Sequence, residues 1–242
     1  VTDLAAALGS EIERIGSLLA DLERPGLRRP VRACPGWDVA EVVRHLGGVH
    51  RWATAIVATG HDGSVDADQT AARAPDSAHP ADLRDWFVEG AQLLCAELAA
   101  ASPDRRCWTL AGDGTASFWV RRQAVETAVH RVDVELALGC RPDVGSALAV
   151  EGLDELVTVL APRQVRLGRT AALPGRLTLT ATDAARTWQL GVRDTPSATL
   201  SGPAAPLLLA LWGRLDLDES GLDATGDPAV LAAALAPGGL AP

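Results

Sequence analysis

Cys34-Pro35-Gly36-Trp37-Asp38-Val39-Ala40-Glu41-Val42-Val43-Arg44-His45-Leu46 passes from a turn into a helix within a few residues. Pro35-Gly36 punctuates the chain, Asp38 reads as a helix N-cap, and Glu41 three residues later completes a capping-box pattern. Trp37, just before the cap, is placed to pack back on the first turn as a hydrophobic staple. Beyond it, Val39, Val42, Val43, Leu46, Val49, Ala53, Ile56 and Val57 recur at helical spacing as far as Gly60. The spacing predicts a long helix that carries His45 among its inward positions.

Working outward, three further helices of similar length follow from the same pattern. Leu4, Leu8, Ile12, Ile15, Leu18, Leu19 and Leu22 predict a helix over 3–23, ending before Pro25, with an irregular stretch up to Pro35. Residues 61–79, rich in Asp, Ala, His and Gly, read as a mobile loop. Pro80 suits the first helical position of a segment over 80–101 that carries Leu83, Trp86, Phe87, Leu93, Leu94 and Leu98. A loop containing Gly112-Asp113-Gly114 leads to a helix from about Ser117 to Leu138, stopped by Gly139. Four such helices predict a four-helix bundle.

After a further helical stretch over 146–161 the texture changes. Leu177-Thr178-Leu179-Thr180-Ala181-Thr182 and Thr187-Trp188-Gln189-Leu190-Gly191-Val192 alternate with period two, and Ala198-Thr199-Leu200-Ser201 gives a third strand. Helices from Pro203 to about Arg214 and from Pro228 to Leu235 close the chain. The expected fold class is α+β: a helical bundle over 1–161 and a small α+β domain over 162–242.

Composition narrows the chemistry. With 48% hydrophobic and 22% charged residues, the chain has the make-up of an ordinary soluble globular protein. The longest apolar run, Leu207 to Trp212, is too short to span a bilayer, and Asp3, Glu11 and Glu13 give the start no signal-peptide character, so a cytoplasmic protein is expected. The net charge of −9 and scattered arginines argue against a nucleic-acid partner. The sequence contains no lysine, asparagine, tyrosine or methionine. The missing lysine excludes Schiff-base chemistry and a P-loop. The absence of residues with A/T-rich codons suggests a GC-rich genome. The four cysteines, Cys34, Cys95, Cys107 and Cys140, form no CxxC pair and read as reduced thiols.

Glu126 and His130 are spaced i, i+4, so a helix projects them side by side, and Asp133 follows on the same edge. They border the stripe of Val125, Val129, Val132 and Leu136. If His45 faces them, the three make a His₂Glu set that suits zinc with one position open. A solvated charged face beside Arg121, Arg122 and Arg131 is the competing reading, and an inward histidine is commonly a hydrogen-bonded core residue. His50, five residues beyond His45, points elsewhere on its helix and reads as a supporting or surface histidine. The tryptophans of this half, Trp37, Trp52, Trp86, Trp108 and Trp119, read mainly as core.

The stretch from Cys34 to Leu46, continued by Val49-His50-Arg51-Trp52, resembles the N-terminal signature of the mycothiol-dependent maleylpyruvate isomerase family, a branch of the DinB-like bundles. So does Val120-Arg121-Arg122-Gln123-Ala124-Val125-Glu126-Thr127-Ala128-Val129-His130-Arg131-Val132-Asp133. The runs Leu200-Ser201-Gly202-Pro203, Leu211-Trp212-Gly213-Arg214 and Thr225-Gly226-Asp227 resemble its sterol-carrier-like second domain. The resemblance implies a divalent metal, usually zinc, on His45, Glu126 and His130, and mycothiol as thiol cofactor or co-substrate. It also implies an arginine of the second domain for a substrate carboxylate, for which Arg214 is the candidate. Trp52 is a candidate pocket residue, and Asp133 and His50 are candidates for support behind the ligands.

The expected function is thiolate addition to a small electrophilic substrate, either cis–trans isomerisation of the maleylpyruvate type or S-transfer. A non-catalytic ligand-binding protein with a structural metal or none, and a hydrolase using zinc-bound water, are the alternatives. A monomer or homodimer is expected, and the substrate is not legible in these residues.

Overall fold

The computed structural model describes residues 3–60, 74–75, 79–192, 196–236 and 238–241; the loop expected over 61–79 falls almost wholly outside them. Asp3 accepts a hydrogen bond from the Ala6 N–H and starts α1 (Leu4–Ala20), which buries Leu8, Ile12, Ile15 and Leu19 but also Glu11. A single turn, α2 (Arg24–Leu27), interrupts the stretch expected to be irregular. In α3 (Val39–Thr59) the expected capping box is formed in both directions, and Gly60 closes the helix at φ 71°. Pro80 opens α4 (Pro80–Ala100), and the last long helix of this half is α5 (Ala116–Leu138), closed by Gly139 in the left-handed region.

α1 packs on α4 and α5, and α3 packs on the same two, which closes a four-helix ring. Small residues set the α3–α4 approach: a side chain at Gly47 would collide with the Trp86 ring. The Arg51 guanidinium lies 4.1 Å from that ring's centroid and donates to the Trp86 carbonyl at 2.7 Å. Two residues expected inward are exposed. Leu93 sits one step off the buried Leu94 side of α4, and burial on α5 ends at Glu135, leaving Leu136 in solvent.

The segment expected to loop around Gly112-Asp113-Gly114 is a hairpin of β1 (Arg106–Thr109) and β2 (Gly112–Thr115). Cys107 and Thr109 point inward from it, and Gly112 takes φ 106° at the turn. Trp52 meets Trp108 of β1 and Trp119 edge to face, and the Trp119 indole donates to the Trp108 carbonyl.

The chain divides into compact units over 1–142 and 143–242. The expected boundary at 161/162 falls within the helical run α6 (Ser146–Glu155), a π-helical turn (Leu156–Leu160) and α7 (Ala161–Arg166), all of it in the second unit. Pro162 accounts for the π turn: it has no N–H for the Thr158 carbonyl, and its ring would clash with that carbonyl in regular α geometry.

The second unit is a four-stranded sheet in the order β4-β3-β5-β6, made of β3 (Arg176–Ala181), β4 (Arg186–Leu190), β5 (Ser197–Gly202) and β6 (Asp223–Gly226). β3 and β5 are parallel, and β4 and β6 flank them antiparallel. Leu177 and Leu179 pair with Ala198 and Leu200 and, with Ala181, form one buried face, covered by α8 (Ala204–Leu211) and α10 (Pro228–Leu235). α6 packs behind α8, which is why the run beginning at Ser146 belongs here. The short α9 (Leu217–Ser220) and β6 lie where the sequence gave no alternating pattern. Among the described residues no helix is long and apolar enough to cross a membrane.

Candidate metal centre

α5 carries the centre, and it is buried nearly all round: every residue from Arg122 to Glu135 is shielded from solvent. A helix with six charged groups along such a stretch must pair them internally, since an isolated buried charge costs several kcal/mol or more. The structure buries Arg122 and Arg131, so the solvated-face reading of this edge does not hold. Two separate clusters result.

The first is an ion network. Arg131, fully buried, pairs with Glu11 of α1 and Glu135, and Arg14 reaches Glu135 at 2.9 Å. Two cations and two carboxylates balance.

The second joins the residues singled out in the sequence. Glu126 Oε1 lies 3.5 Å from His45 Nε2 and 3.4 Å from His130 Nε2, while Oε2 is held by Arg122 one turn earlier. The three potential ligand atoms all lie within 4.8 Å of one another. These separations are long for hydrogen bonds. They match the spacing of about 3.3 Å that tetrahedral bonds of ~2.0–2.1 Å to one zinc ion impose on two ligand atoms. His45 is 36% exposed while the other two are below a tenth, so the cluster opens to solvent on the α3 side.

The neighbouring charges set the protonation of the donors in the metal-free chain. Burial opposes ionisation of Glu126, but the Arg122 guanidinium and then the two histidines outweigh it and hold its carboxyl well below the usual range. For His130, burial opposes protonation, yet its bonds to Asp133 and Glu126 win and lift its pKa to about 9 in the metal-free chain. Asp133, with no exposed surface, accepts from His130 Nδ1 at 2.9 Å, which leaves Nε2 facing Glu126. A carboxylate behind a histidine is the usual second partner of a metal-binding imidazole.

His50 is not a surface residue. It is fully buried against Phe87, and burial drives its pKa down to about 3. Thr127 gives its hydroxyl proton to the Gln123 carbonyl, so its oxygen accepts from His50 Nε2–H at 3.0 Å. Trp52 lies two turns beyond His45 on the same face of α3, in the Trp108–Trp119 cluster. Arg214, in the second unit, is buried rather than exposed; it donates to the Trp212 carbonyl at 2.6 Å, and its guanidinium sits 5.6 Å from the Trp212 ring.

Sequence reasoning missed two contributors. Arg122 sits at i−4 from Glu126, a spacing that signals the pair once the helix face is known to be buried. Cys34 approaches Asp133 Oδ2 at 3.7 Å from 99 residues away, a contact for which the sequence carries no signal.

Residues 8–135 match the model of the mycothiol maleylpyruvate isomerase N-terminal domain, and residues 147–233 match that of the MDMPI C-terminal domain. No curated protein matches the chain. Among solved structures, the crystal structure of the mycothiol-dependent maleylpyruvate isomerase is similar at 13% identity, with a TM-score of 0.71 over 92% of each chain. That of a histidine-to-alanine mutant of the mycothiol-dependent maleylpyruvate isomerase is similar at 12% identity, with a TM-score of 0.69 over the same shares. At such identity the structures speak for a shared fold, whereas the first family match alone spans more than half of the sequence: the chain belongs to the mycothiol maleylpyruvate isomerase family.

Proposed function

We propose that this protein is a metal- and thiol-dependent isomerase that uses mycothiol to convert a small carboxylate-bearing cis alkene of the maleylpyruvate type into its trans isomer. The observation that carries the reading is the convergence of His45 Nε2, His130 Nε2 and Glu126 Oε1 at 3.4–3.5 Å contacts too long for good hydrogen bonds. These residues would hold a divalent ion, zinc by donor type. When bound, such an ion lowers the pKa of a coordinating thiol so that it is a thiolate at neutral pH.

The chain's own residues have separable tasks. Arg122 keeps Glu126 ionised, and Asp133 keeps the His130 proton on Nδ1 so that the Nε2 lone pair is presented. His45, the exposed member, leaves the centre reachable by a thiol the size of mycothiol. Trp52 is proposed as an apolar wall beyond His45, and Arg214 as the cation for a substrate carboxylate. His50, neutral and buried, supports the packing of α3 on α5 through Thr127.

The test is conversion of maleylpyruvate by zinc-loaded protein with and without mycothiol. Turnover that requires both is expected, with Arg214→Gln raising KM more than it lowers kcat. Turnover undiminished by leaving out the thiol would overturn the reading and favour zinc-activated water.

A further inference from the structure

His45 is the member of the centre that solvent reaches, and two aromatic rings lie against it. The Trp37 and His130 rings are each 5.0 Å from the His45 ring, centroid to centroid, Trp37 tilted by 53° and His130 edge-on. His130 is buried, whereas Trp37 is only half-buried, so part of its indole meets solvent beside the exposed histidine. The other tryptophans of this unit are placed differently. Trp52, Trp108 and Trp119 pack on one another, and Trp86 lies under the Arg51 guanidinium. The Trp119 indole N–H is taken by the Trp108 carbonyl. That of Trp37 has no hydrogen-bond partner among the described residues and stays accessible to solvent.

The backbone that carries this ring is fixed without any ligand. Trp37 N–H donates to the Cys34 carbonyl at 3.0 Å, and the Trp37 carbonyl accepts from Val31 N–H at 2.9 Å. Gly36 takes φ 87°, a conformation that strains any residue with a Cβ, and Asp38 then caps α3. A tryptophan has only two side-chain torsions, so little entropy is lost when it is ordered against a ligand. Packing on His45 uses one part of the ring. The part in solvent offers an apolar face for C–H groups and one donor for an oxygen, the two-sided character that suits indoles to wet binding surfaces.

We propose that Trp37 is a binding and specificity residue for the thiol: its exposed indole face contacts the carbon skeleton next to the thiol sulfur, and its N–H donates to an oxygen of the same molecule. The inference rests on the metal- and thiol-dependent reading above and deepens it. A thiol held by its sulfur beside His45 keeps its own carbon atoms near that ring throughout, whereas the substrate joins the sulfur only while it reacts. The contact favours thiols with a large, oxygen-bearing skeleton over minimal ones, because only the former extend across the ring.

The test compares wild type, Trp37→Leu and Trp37→Phe by three measurements. These are calorimetric affinity for mycothiol and for its S-methyl ether, KM for mycothiol, 2-mercaptoethanol and maleylpyruvate in turnover, and zinc affinity by chelator competition. Trp37→Leu is expected to weaken both mycothiol and its ether by about 3- to 10-fold, the range of one aromatic contact. KM for mycothiol should rise by a similar factor and by more than kcat falls, while KM for 2-mercaptoethanol rises less, so that discrimination between the two thiols narrows. Trp37→Phe keeps a face but loses the N–H, and its losses should fall between wild type and Trp37→Leu. If Trp37→Leu does not fold, the ether affinity of Trp37→Phe alone carries the test.

Mycothiol and ether affinities unchanged in the variants would overturn the proposal. So would a raised KM for maleylpyruvate with thiol affinity intact, because Trp37 would then line the substrate side. A fall in zinc affinity as large as the fall in thiol affinity would also overturn it, as the mark of a ring that only packs on His45. Failure of wild type to bind zinc would sink the metal reading alone. The ether has no thiol proton to lose, and its affinity for the metal-free chain, with and without the Trp37 indole, would still decide the role of Trp37.

Discussion

Two buried polar clusters sit on opposite sides of α5, and they differ in how their valences are filled. Around Arg131 the accounts close: the guanidinium lies between Glu11 and Glu135, with Arg14 behind Glu135. Around Glu126 they do not close. One carboxylate oxygen is taken by Arg122, while the other faces two imidazole nitrogens at distances that leave room for an ion between them. The contrast teaches how to separate a structural ion network from a candidate site on one helix. Burial and charge are common to both; the second differs in that three potential ligand atoms converge at separations long for hydrogen bonds.

The largest expected effect breaks the closed cluster. Arg131→Ala takes the buried guanidinium from Glu11 and leaves Glu135 to Arg14, and should cost about 3–5 kcal/mol of unfolding free energy, read by urea denaturation, with zinc affinity unaltered in the fraction that folds. A loss of metal binding together with stability would mean the two clusters are one. Asp133→Asn acts on the other side: zinc affinity should fall by roughly 10- to 100-fold in a chelator competition. An affinity within twofold of wild type would show that His130 is oriented by packing alone.

A third test uses pH. His50 has its pKa driven down to about 3 by burial, so below 6.5 the unfolded chain takes up a proton that the folded chain refuses. Stability is therefore lost as pH falls from 6.5 toward 3, by up to about 1.4 kcal/mol per pH unit from this group. Urea titrations at several pH values should show a shallower acid loss in His50→Gln than in wild type. Equal slopes would mean that His50 is not the group being refused its proton. The smallest effect concerns the cap: Asp38→Ala should cost about 1 kcal/mol by thermal unfolding, with less change in zinc affinity than Asp133→Asn produces.

Much of the fold was legible because it depends on local pattern. The capping box at Asp38 and Glu41 formed as written, Pro228 opens a helix at the expected residue, and the period-two runs became β3 and β4. The i, i+4 spacing of Glu126 and His130, together with the inward phase of His45, was enough to name the three residues that converge. What was not legible depends on distant partners. α5 is buried all round, so it has no polar face to read, and the fate of Arg131 depends on Glu11, 120 residues away. Cys34 is informative only once Asp133 is beside it. β6 is a strand because β5 pairs with it, since Asp223-Ala224-Thr225-Gly226 has no alternation of its own. The helix from Ser146 has the same period whether it joins a bundle or backs a sheet, so periodicity could not place the boundary.

The claim on which the rest stands is that the open cluster binds one ion. Protein purified without affinity-tag metal, dialysed against buffered zinc and assayed for metal content, tests it most directly. The account predicts about one equivalent per chain, lost in His45→Ala, Glu126→Gln and His130→Ala and retained in His50→Gln. Wild-type content below roughly 0.2 equivalents, or content that the three substitutions leave unchanged, would contradict it.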